Sequence, residues 1–160
     1  LGIYWIYMQL PNGKRFADGD KFSKTHVSCP ETLVLDYAYA NDAVVKGEFE
    51  RRGGMKRAKT NPVLFLLVNN PELKTNTDLN TLPLSIDYGT ILGGLSARTG
   101  WNLNEDSNDV AVEIRGGGYH FGNHQHCNAG SFQIYLRGEQ LFNAGIYRAY
   151  GTPYDFNFYK

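Results

Sequence analysis

Three of the four histidines, His120, His124 and His126, fall within seven residues, inside a glycine- and asparagine-rich run from Gly116 to Gly130. In extended backbone His124 and His126 project to one side about 6–7 Å apart, a spacing that suits two ligands of one metal or two groups around one substrate. Glycine around them lets the chain approach a ligand closely. The same composition also fits a plain surface connection. Gly116-Gly117-Gly118 lacks a following Lys-Ser/Thr and a helix signal, so a phosphate loop is not indicated. Asn143, Tyr147, Tyr150, Tyr154 and Tyr159 form a second group near the end. Tyrosine works as a general acid or base when neighbours lower its pKa, and such a cluster also serves packing. Five positive residues lie between Arg51 and Lys59, where they complement a helix C-terminus or meet an acidic substrate. Cys29 and Cys127 form no C-x-x-C pair, so they read as small buried hydrophobes, with one long-range disulfide left open.

The elements that position these residues are read from periodicity. Tyr4 to Leu10 is aromatic and β-branched, and Pro11-Asn12-Gly13 then turns it into Lys14-Arg15-Phe16, which predicts a hairpin with a type I′ turn. Leu33, Tyr37, Ala40, Val44 and Phe49 recur at helical steps from Pro30 to about Arg52, with a break at Asn41-Asp42 and a stop at Gly53-Gly54. Asn61 and Pro62 open a shorter helix that Asn69-Asn70-Pro71 ends. Strands are expected at Leu84–Tyr88, Thr90–Arg98, Val110–Arg115 and Ser131–Arg137, with Gly138-Glu139 turning into Gln140–Ala144. In the fourth, Phe132, Ile134 and Leu136 would face a core and Gln133 and Tyr135 would face out. These elements predict an antiparallel β-sandwich or larger layered sheet with helices inserted after the first hairpin.

Composition bounds the partners. The chain has 160 residues, with 16 Lys+Arg against 16 Asp+Glu and 22 aromatics (11 Tyr, 9 Phe, 2 Trp). Zero net charge gives no global basic field for nucleic acid, and no run reaches the ~20 apolar residues of a membrane span. The start at Leu1, without Met, reads as a piece of something longer.

The run His124-Gln125-His126-Cys127-Asn128-Ala129-Gly130-Ser131-Phe132 resembles the H-x-H-x-D-x-G-S-F hallmark of the heparinase II/III-like polysaccharide lyases. Tyr4-Trp5-Ile6-Tyr7, Ser96-Ala97-Arg98-Thr99-Gly100-Trp101, Asn143-Ala144-Gly145-Ile146-Tyr147 and Tyr150-Gly151-Thr152-Pro153 resemble it in the same order. The resemblance implies a mainly β, supersandwich-like and incomplete antiparallel β-sandwich with inserted helices. It divides as a 1–20 hairpin, a 30–70 helical insertion and strands over 84–160, and a helical toroid precedes such a domain in the family. It implies β-elimination on a uronate-containing acidic polysaccharide, with export to the periplasm or outside the cell. His124 then resembles the active-site histidine and Tyr154 or Tyr159 the tyrosine, with Arg98, Trp101 and Gln125 toward substrate. His126 resembles a ligand of the family's zinc. Its second ligand, an Asp, falls at Asn143, and its third, a later His, lies beyond Lys160.

Two departures argue against zinc in this chain: Asn143 replaces the carboxylate, and Asn128 stands where the hallmark often has Asp. Since the toroid supplies further catalytic and sugar-binding groups, the 160 residues alone are expected to be inactive. The alternative is a carbohydrate-binding or structural β-sandwich, with Trp101 and tyrosines stacking on sugars. A free-standing metalloenzyme built on His120, His124 and His126 would lack a carboxylate at ligand spacing.

Overall fold

In a computed structural model of the protein, residues 2–16, 30–56, 61–117 and 129–141 are described. They divide into two compact units, the first built from residues 1–7 and 27–83 and the second from residues 8–26 and 84–160.

The first unit is helical: α1 (Gly2–Tyr7), α2 (Pro30–Ala40), α3 (Ala43–Arg51) and α4 (Pro62–Val68). The expected break is present. Asn41 takes a left-handed φ of 53°, and Asp42 then caps α3, its Oδ1 accepting from the backbone N–H of Val44 (2.8 Å) and Val45 (3.0 Å). Asn61 caps α4 in the same way, through Val63 (3.0 Å) and Leu64 (3.2 Å), with Pro62 in the first turn. Ile6, Tyr7, Leu33, Val34, Tyr37, Val45 and Phe49 are buried, and Phe49 stacks on Phe65 at 5.9 Å between centroids. Gly47 lies where the chain at Asn76 crosses α3; any Cβ there would overlap the Asn76 carbonyl. Buried Glu48 pairs with Arg51 and with Arg52, the latter at 2.7 Å.

The strand expected over Tyr4–Leu10 is instead helical through Tyr7. Its aromatic residues have β propensity, but Ile6 and Tyr7 are buried, Gly2 meets Val45 of α3, and the Tyr7 hydroxyl donates to Pro83 O at 2.6 Å. Packing overrides a weak local preference.

The second unit holds a five-stranded antiparallel sheet in sequence order: β1 (Ser85–Asp87), β2 (Gly94–Arg98), β3 (Ala111–Arg115), β4 (Phe132–Tyr135) and β5 (Glu139–Leu141). The strand expected from Thr90 starts later. A helical turn, α5 (Gly89–Leu92), joins β1 to β2 and closes with Gly93 at a left-handed φ of 59°. Of the predicted N-terminal hairpin, the described residues show the bridge between Gln9 and Arg15, around a 3₁₀ turn over Pro11–Gly13 rather than a type I′ turn.

The faces of β4 are the reverse of the expectation. Gln133 is 0% and Tyr135 1% exposed, whereas Phe132 is 46% exposed. Register explains the whole pattern. Ser96, Glu113 and Gln133 form one cross-strand row and Arg98, Ala111 and Tyr135 another, and all six are buried. Leu95, Ile114 and Phe132 line up on the opposite face and are exposed. The polar residues tolerate burial because each finds a partner: Gln133 Nε2 donates to Glu113 Oε2 (2.7 Å), the Tyr88 hydroxyl to Ser96 Oγ (2.7 Å), and Arg98 Nη2 to Gln9 O (2.8 Å). The fold is therefore mixed, an antiparallel sheet accompanied by helices of up to 11 residues, where a mainly β chain was expected. No helix among the described residues is long and apolar enough to cross a membrane.

Candidate functional site

The end of the hallmark-like motif is the start of β4. Gly130 has φ +83°, Ser131 follows, and Phe132 opens the strand beside β3. Between Gly117 and Ala129 lie His120, His124, Gln125, His126, Cys127 and Asn128, all outside the described residues, as are Asn143, Tyr154, Tyr159, His26 and Cys29. What is described is the root of that eleven-residue segment. The Gly130 N–H donates to Arg115 O (2.6 Å) and the Arg115 N–H to Ser131 O (2.9 Å), so the ladder of β3 and β4 closes where the segment leaves and returns. A Cβ on Gly117 would lie 3.7 Å from that of Ala129. The Gly116 N–H donates to Gly93 O (2.7 Å), tying the root to the turn before β2. Ser131 Oγ is buried without a hydrogen-bond partner among the described residues.

Under the root sits a charged row. Arg115 Nε lies 2.7 Å from Glu113 Oε1, and Glu113 Oε2 accepts from Gln133. The side chains of Glu113 and Arg115 are 3% and 19% exposed. Neither Glu113 nor Gln133 stood out in the sequence, because only the register Glu113↔Gln133 brings them together. Their one-dimensional signal was a polar residue at every second position of two strands, which reads equally well as a solvated face.

Arg98 and Trp101 come together elsewhere. The guanidinium carbon lies 3.8 Å from the centroid of the indole ring, a cation–π stack, while Nη2 holds the Gln9 carbonyl. Both residues are buried, at 8% and 6% exposure, so the guanidinium covers an indole face that sugar stacking would use. Arg98 pairs with Ala111, four residues along β3 from Arg115, placing it roughly 13 Å from the root at a rise of ~3.3 Å per residue. Beyond Trp101, Asp109 Oδ2 accepts from the Asn102 N–H (2.8 Å).

Acid–base character follows from burial. The Tyr135 phenol is pushed above its ordinary value by desolvation, then by Glu105 and Glu139. Among the described residues no group of three or more His, Cys, Asp or Glu could hold a metal ion.

No protein-family model matches the chain, and a search of curated proteins finds no match to it. The likeness to the polysaccharide lyases rests on the residues quoted above.

Proposed function

We propose that this chain is part of the β-sandwich domain of a heparinase II/III-like polysaccharide lyase acting on a uronate-containing acidic glycan. The observation that carries the reading is the fit of motif to fold. Gly130, Ser131 and Phe132 turn into β4, so the two histidines precede the strand by the spacing the hallmark requires, on a segment inserted between neighbouring strands. At sixteen residues, 116–131, the β3–β4 connection is far longer than the two to five of an ordinary hairpin, and connections of this length serve function more often than folding. The apolar row Leu95, Ile114 and Phe132 supports the sandwich, because its outward exposure is what one sheet of a sandwich presents to the other.

In β-elimination a base takes the proton from C5 of the uronate, the C4–O4 bond breaks, and an acid protonates O4 as the double bond forms between C4 and C5. His124 is assigned to the proton transfer, and Tyr154 or Tyr159 is the partner acid or base. Neutralising the uronate carboxylate stabilises the carbanion-like intermediate, a task for the family's toroid together with Gln125. Zinc does not fit the donor set, because Asn143 offers a neutral amide where a carboxylate would bind, and no step passes through a metal.

The test uses a protein that joins this chain to a preceding helical toroid, and follows the absorbance of unsaturated uronate products on heparan sulfate and alginate. Turnover that falls at least about 100-fold in His124→Ala supports the assignment. An unchanged rate removes His124, and robust turnover by the 160 residues alone removes the need for a toroid. Asn143 also favours a second reading, a carbohydrate-binding module without chemistry, and glycan binding by the toroid-containing protein without product would decide for it.

A further inference from the structure

We draw no further inference here: the strongest candidate, the exposed apolar stripe of Val63, Leu66 and Leu67 on α4, carries none because nothing in the structure shows what covers it.

Discussion

Truncating Glu113 should be among the most damaging single changes in the sheet. Its carboxylate is nearly sealed from water and is shared between Arg115 Nε at 2.7 Å and Gln133 Nε2 at 2.7 Å. Glu113→Ala removes the carboxylate from beside a largely buried guanidinium and a fully buried amide. Removing one member of a buried charge pair costs about 3–5 kcal/mol. With a urea slope of about 2 kcal/mol per molar, the unfolding midpoint should fall by roughly 1.5–2.5 M. Gln133→Ala removes one charge-assisted hydrogen bond and leaves the ion pair, a loss of about 1.5–3 kcal/mol before any cavity is counted. The double variant should then cost less than the sum of the two, by an interaction energy of about 1–3 kcal/mol, because both remove the same bond. Urea unfolding followed by tryptophan fluorescence reads all three proteins. If Glu113→Ala shifts the midpoint by under 0.5 M, or the two changes add, the row is not the clamp described; the threshold follows from about 1 kcal/mol at that slope.

Three further outcomes are expected. Gly47→Ala should destabilise the first unit by at least about 1–3 kcal/mol, since the new methyl group overlaps the Asn76 carbonyl and the backbone must shift; a variant melting at the wild-type temperature would contradict that crossing. Asp42→Ala should cost about 1 kcal/mol by leaving the Val44 and Val45 N–H groups uncapped, seen as loss of helical circular dichroism at lower denaturant. For Asp36 the sign is opposite. Burial raises its carboxyl above 3.8, so the folded state holds the proton more tightly than the unfolded chain does. The destabilisation is absent below the ordinary carboxylate range and grows as pH rises through the raised value. Asp36→Asn should therefore raise the melting temperature at pH 7 and leave it unchanged near pH 3, and an equal gain at both would show that charge is not the cause.

Helix limits were legible because they are local. Asp42 and Asn61 carry their own capping oxygens, Pro62 presets φ, and Asn41 tolerates the left-handed turn between two helices. Each signal lies within four residues of what it controls. The direction of the sheet was not legible. Alternation in Phe132-Gln133-Ile134-Tyr135 separates two faces, and hydrophobicity alone assigns the apolar one inward. The polar face is buried because Gln133 meets Glu113 and Arg98 reaches Gln9, pairings separated by 20 and 89 positions. The Tyr4–Tyr7 helix was missed for a related reason, since contact with α2 and α3 decides it. For the candidate site, the motif carries the residues His124 and His126, while the structure contributes the closed strand pair at its root.

That closure separates inheritance of the scaffold from inheritance of the chemistry. The reciprocal bonds of Arg115 with Gly130 and Ser131 complete the β3–β4 ladder up to the point of insertion. Eleven residues should then be exchangeable for a short glycine turn, or for a donor sequence of another length, while the row beneath keeps its alignment. A scaffold of this kind lets the inserted stretch vary by substitution, and divergence should concentrate there while Glu113, Arg115 and Gln133 change together or stay fixed.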